Sequence, residues 1–271
     1  MTHPHRTEVG ATVGIVLLTV IATVLGLVRD GHYVETGSEL LRLQAQDGVL
    51  LGLGVPVLAV GLWLSTRGSL RGRFIWLGAL AFMSYMWTHY AFVVAYNDFF
   101  LGYVALFALS VFTLVSGVVT TDANRVYAAL HQEISRRLYV GFLGVAAVGL
   151  AGMWLFDIVP AQIAGDLPSG IAQFGPEAAH TYVIDLGILV PALAIAALWL
   201  HRGRPWGYVC TGVLLVFAAL VAPTLTAITV LDIQEGIEIS APILVGTIIP
   251  PLIGLLFAVS YLRRVSGNDS R

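Results

Sequence analysis

The stretch DLGILVPALAIAALWLHRGRPWG, residues 185–207, decides the architecture. Between Tyr182 and Leu200 the only charged residue is Asp185, and the chain then meets Arg202 and Arg204 before it turns apolar again. About 20 apolar residues suffice for a helix to cross roughly 30 Å of hydrocarbon. Closed by arginines, such a run reads as a helix arriving at a cytoplasmic surface.

The rest of the chain repeats that pattern. It is 58% hydrophobic and only 11% charged, with a mean hydropathy of +0.86, which excludes an ordinary soluble domain. Cutting at charged and Gly/Pro/Asp/Asn-rich breaks gives eight apolar segments, at residues 9–28, 48–64, 74–96, 101–120, 139–156, 182–200, 208–230 and 241–262. Backbone groups in hydrocarbon must be satisfied within the segment, so the spans are helices, and no barrel-like alternation is visible. The expected fold is all-α, a polytopic membrane bundle of eight transmembrane helices forming one domain. Of the fourteen arginines, twelve fall on the side of the N-terminus, the even-numbered connections and the tail, which predicts that both termini are cytoplasmic. The expected localisation is the cell (cytoplasmic) membrane, and the lipid bilayer is the first partner.

A second stretch resembles the first. In LGLGVPVLAVGLWLSTRGSLRG, residues 51–72, the pairs Leu-Gly, Val-Pro, Leu-Ala and Arg-Gly and the triplet Leu-Trp-Leu coincide with those of residues 185–207, allowing one gap. That places the second span over the sixth and suggests a 4+4 parallel repeat, with halves 1–124 and 125–271 joined by an amphipathic cytoplasmic segment at 121–138. Parallel repeats of this kind occur in transporters, with sites between the halves. A second amphipathic helix is expected at 37–47, also lying at the interface.

Several chemistries are excluded or disfavoured. There is no lysine for a Schiff base, and the single cysteine, Cys210, excludes a disulfide or thiolate zinc site within one chain. Haem needs paired axial ligands, and only His89 lies well inside a span, so no cofactor is expected. A net charge of −2 gives no reason to expect nucleic acid.

Polar residues gather toward the ends of the spans predicted to face outward, where an ionisable side chain usually faces a cavity or a partner. Tyr85, His89, Phe92 and Tyr96 fall on one predicted helical face, Asn97 and Asp98 form a tight turn, and Thr226 and Thr247 sit at similar depth on the last two spans. Asp185 is expected in the first turn of the sixth span, capped by Thr181, where backbone N–H groups favour a carboxylate. The candidate ligand-binding set is therefore His89, Tyr85, Tyr96, Asn97, Asp98, Asp185, Thr226 and Thr247, with His89 and Asp185 as a proton-linked pair. It implies binding or transport of a small solute or ion through an outward-opening vestibule, and a transporter more than an enzyme. Two alternatives are an intramembrane metal-dependent hydrolase using His89, His180 and Asp185, and a non-catalytic assembly or scaffold protein.

The stretches RGSLRGRFIWLG, YNDFFLGYVALFALS and YVIDLGILVPALAI resemble a family of prokaryotic multi-pass membrane proteins, over roughly residues 47–224. The resemblance implies a helical inner-membrane protein and assigns no site residue.

Overall fold

The computed structural model describes residues 3–236 and 241–266, with the side chains of 174, 241–248, 250, 251 and 266 outside the description. Among the described residues the regular structure is entirely helical. Six helical runs are long and apolar enough to cross a membrane: Arg6–Val28, Gly37–Thr66, Phe100–Val119, Arg136–Ala164, Pro176–His201 and Pro205–Gln234. Their outer surfaces are those of a protein in lipid. On the fourth of these runs Val145, Val148, Phe156 and Ile163 are each about three-quarters exposed or more, an apolar face that water would not tolerate.

In chain order the helices are α1 (Arg6–Val28), α2 (Gly37–Val49), α3 (Val55–Thr66), α4 (Leu70–Phe92), α5 (Phe100–Val119) and α6 (Ala123–Leu130). They are followed by α7 (Arg136–Ala164), α8 (Ser169–Phe174), α9 (Ala179–Ile184), α10 (Val190–His201), α11 (Pro205–Gln234) and α12 (Ala241–Ser266). The helix expected to lie on the surface at 37–47 is instead the first part of the second crossing: α2 runs through a π turn, Leu50–Gly54, directly into α3. The amphipathic segment at 121–138 shortens to α6, capped by the Asp122 carboxylate on Asn124 and Arg125 N–H. It buries Ala123, Val126 and Leu130, while Leu138 is exposed on α7. The long connection at 157–180 is mostly helical. Asp157, still on α7, accepts hydrogen bonds from the Ser169 N–H at 2.9 Å and the Tyr182 hydroxyl at 2.8 Å, which pin this segment to the bundle.

The two look-alike stretches fold alike. Each crossing widens into a π turn immediately before its Val-Pro pair, at Leu50–Gly54 and Asp185–Leu189, and in each the valine N–H reaches back five residues, to Leu50 O or Asp185 O. Proline supplies no N–H, and its ring crowds the carbonyl four residues earlier. That carbonyl belongs to Gly52 in one case and Gly187 in the other. The turns that follow also match. Gly68 and Gly203 adopt φ of +80° and +66°, and Ser69 and Arg204 N–H bond to Leu64 O and Trp199 O. A β-carbon on Gly72 or Gly207 would strike the backbone of the preceding helix end, so only glycine allows these hairpins to close. The matched π turns, Val-Pro pairs and turn glycines are each 135 residues apart with no gap, a register in which the two Leu-Trp-Leu triplets, 136 apart, no longer coincide.

The core lies between α4 and α11. Trp76, Leu77, Leu80, Phe82, Met83 and Trp87 on α4 are fully buried, and Gly78 admits Val216 of α11. At what we term the α6 end of the bundle, Tyr261 of α12 donates to Tyr208 O at 2.6 Å, and Arg264 donates to Glu133 O. The start of α1 is at the same end, where His3 meets Thr66 O.

Candidate functional site

At the end opposite α6, the 29–36 loop, the start of α2, the end of α4 and the start of α9 enclose a cavity of about 340 Å³. Its polar wall is made by Glu35, Glu39, Arg42, Gln46, His89, Glu177, His180 and Thr181. His89 comes from the last turns of α4 and His180 from α9, and their rings meet with Nδ1 of His89 3.2 Å from Nε2 of His180. Glu35 accepts the Ala95 N–H on Oε1 at 2.7 Å, while its Oε2 is buried without a hydrogen-bond partner. Arg42 is engaged by Asp232 of α11 at 2.6 Å, a largely buried pair that ties α2 to α11.

One helical turn further into the bundle lies a second pair of contacts, which joins α4 and α7 to the π turn after α9. Asp185 is only 5% exposed and accepts from the Tyr85 hydroxyl at 3.2 Å and from the Trp154 indole N–H at 2.9 Å. It sits at the π turn, inside a continuous helical run that begins at Pro176, and not in a first turn capped by Thr181. Aromatic donors, in place of a helix N-terminus, satisfy it. The expected pairing of His89 with Asp185 is thus replaced by His89 with His180 and Asp185 with Tyr85.

The other expected site residues disperse. Tyr96 lies beyond the end of α4, 80% exposed against Phe100, because the helix ends at Phe92 and its predicted face ends with it. Asn97 closes the turn by accepting the Phe99 N–H, and exposed Asp98 pairs with Arg29. Thr226 bonds back to Ala222 O on its own helix at 2.9 Å, a common fate for threonine in a span. Thr247 lies on α12, with its side chain outside the described residues.

Three polar clusters have no counterpart in the sequence reading. Asp47, fully buried, accepts Tyr33 OH at 2.6 Å and Tyr90 OH at 2.9 Å and rests against the bare Cα of Gly26. Beside it the ring of His32 meets Tyr103 OH at 2.9 Å. Burial first, then the nearby Arg29 charge, lowers the pKa of His32, and burial together with Asp47 raises that of Tyr33. At the α6 end, Glu8 accepts from Ser116 at 2.7 Å and Thr120 at 3.0 Å, and Arg73 donates to the same Thr120 and to Gly117 O. The available signal was positional. Each of Glu8, Arg73 and Asp47 stands within three residues of an apolar run, close enough to be drawn in with the helix.

No family model, curated protein or solved structure matches the chain.

Proposed function

We propose that the chain is an eight-span protein of the cytoplasmic membrane that binds a small cationic solute or ion in the His89/His180 cavity and passes it across the bilayer. The observation that carries this reading is the wall of the cavity. It presents three carboxylates, Glu35, Glu39 and Glu177, and its one arginine, Arg42, is already held by Asp232. A concave site lined by a few convergent charged groups and shielded by apolar walls concentrates ions of opposite sign.

Topology supports the direction of opening. α4 and α12, 23 and 26 residues long, supply two crossings beyond the six most apolar runs. The arginines at the α6 end then mark the cytoplasmic side and leave the cavity facing outward. The matched π turns, prolines and glycine hairpins support two four-span halves, α1 to α5 and α7 to α12, with α4 and α11 in contact between them. A solute site beside that contact is where parallel-repeat transporters place theirs. The metal-hydrolase alternative has less support. Its third ligand, Asp185, faces Tyr85 and Trp154, and no three His, Cys, Asp or Glu side chains converge for a metal among the described residues.

The test is thermal unfolding of the purified protein with methylammonium, tetramethylammonium and 1,4-diaminobutane chlorides, and with sodium acetate and sulfate as anion controls. A ligand at 100 times its Kd adds about 2.7 kcal/mol. We expect at least one cation to raise the midpoint saturably and Glu35→Gln to weaken the effect. Stabilisation by anions alone, or an equal cation effect in Glu35→Gln, would overturn the assignment.

A further inference from the structure

Where α1 passes α3, the bundle carries a second concavity, an apolar groove of about 330 Å³. Val9, Val13 and Leu17 on α1 face Ala59, Trp63 and Thr66 on α3 across it. Val13, Leu17 and Trp63 are each about half exposed, so the groove opens away from the core, toward the surface that meets lipid.

Its length matches one leaflet. From Val9 to Leu17 is 8 steps of about 1.5 Å, roughly 12 Å, against about 15 Å for half the hydrocarbon thickness. The groove begins at the α6 end, because His3, just ahead of α1, places its Nδ1 3.0 Å from Thr66 O and rests its ring against Gly68. An acyl chain entering from that side would end near the middle of the membrane.

The mouth at that end is basic. Arg67, one turn past Trp63, lays its guanidinium over the Trp63 ring, 3.8 Å from the centroid, which sets a positive charge on the groove wall. Arg6 stands three residues before Val9 in the first turn of α1 and therefore shares its face. Both arginines are exposed, and neither belongs to an ion pair among the described residues. There is no internal counter-charge to draw them elsewhere. No Asp or Glu occurs between residues 48 and 97, and the carboxylate of Glu8 is buried on the His5 N–H and the Ser116 and Thr120 hydroxyls.

Helix stability does not account for the pair. A cation suits the C-terminus of α3 but is unfavourable at the N-terminus of α1. Nor does the repeated frame require the ring under Arg67, since position 198, 135 residues after Trp63, is leucine. Lipid tails are as apolar as leucine, so filling the groove brings no hydrophobic gain of its own and selectivity must come from the headgroup. Basic pockets between membrane helices hold anionic headgroups.

We propose that the α1–α3 groove binds one anionic phospholipid from the leaflet at the α6 end, with an acyl chain along Val9 to Leu17 and the phosphate between Arg6 and Arg67. The groove shares no lining residue with the His89/His180 cavity, so either assignment can fail alone.

The test titrates purified protein in detergent with dioleoylphosphatidylglycerol and, separately, with dioleoylphosphatidylcholine, which has the same chains and no net charge. Bound lipid is counted by native mass spectrometry. We expect one phosphatidylglycerol to bind at least tenfold more tightly than phosphatidylcholine. A basic residue near the membrane surface is worth about fivefold in affinity for anionic lipid, so Arg6→Gln and Arg67→Gln should each weaken phosphatidylglycerol binding by about that factor. Arg137→Gln, which removes an exposed arginine of α7 at the same end, should leave it within twofold. Ala59→Phe, which fills the groove and keeps both arginines, should weaken it at least tenfold. Equal affinity for the two lipids, or wild-type phosphatidylglycerol affinity in Arg67→Gln or in Ala59→Phe, would overturn the proposal.

Discussion

Removing the Asp185 carboxylate should expose how the helical run Pro176–His201 is held to its neighbours. The carboxylate takes one donor from α4, Tyr85, and one from α7, Trp154. Hydrogen bonds between membrane helices are worth about 0.6 kcal/mol on average and at most about 1.7, so Asp185→Ala should cost about 1–3 kcal/mol for the two. Asp185→Asn should cost less, under about 1 kcal/mol. The indole N–H of Trp154 can only donate and must face the amide oxygen, but the Tyr85 hydroxyl can turn to accept from the amide NH₂. The pair is isolated by a double-mutant cycle of Asp185→Ala and Trp154→Phe, read by reversible unfolding in mixed detergent with circular dichroism. A coupling of about 0.6–1.7 kcal/mol is expected. Coupling within about 0.3 kcal/mol of zero, which is inside the error for independent sites, or an Asn variant as costly as Ala, would refute the assigned partners.

Other expectations follow from close contacts and charge. A β-carbon on Gly61 would lie 2.6 Å from Trp76 N and 2.8 Å from its Cα, backbone that cannot rotate away. Gly61→Ala should therefore cost about 3 kcal/mol, the upper end of the usual range for overpacking. Gly141→Ala on α7, with nothing within 4 Å, should gain about 0.5–1 kcal/mol; thermal midpoints compare the two. The pKa of His32 is lowered on folding, so the unfolded chain binds its proton first. Its contribution is complete above the ordinary histidine value of about 6.5 and falls as pH drops from there toward the folded value. His32→Gln should flatten that part of the stability profile, and an unchanged slope between pH 7 and 5 would contradict the shift.

The membrane class was legible in composition. So were the turn glycines and the correspondence of residues 51–72 with 185–207, because hydropathy and Gly/Pro punctuation act locally. The direction in which a polar side chain points does not. Asp47 lies beside an apolar run that could equally start after it, and only the approach of Gly26, Tyr33 and Tyr90 from three other segments makes it buried. Tyr96 illustrates the converse, since a face drawn on an uninterrupted helix lost its last member where α4 stopped at Phe92. His89 was placed in the site, but His180 joined it only in the metal-hydrolase alternative, since it lay 91 residues away in a connection with no visible period. Glu39 and Arg42 were assigned to a surface segment because α2 is too polar to announce itself as part of a crossing, and Glu35, in the loop before it, carried no signal of its own.

An outward-opening acidic cavity is tested most directly by chemical access. With Cys210 replaced by serine, a cysteine introduced at Glu39 should react with a membrane-impermeant maleimide in intact cells, and more slowly in the presence of a cation that stabilises the purified protein. A cysteine at Arg71, on the arginine-rich side, should react only after permeabilisation. Labelling of position 71 in intact cells, with position 39 silent until lysis, would contradict the account.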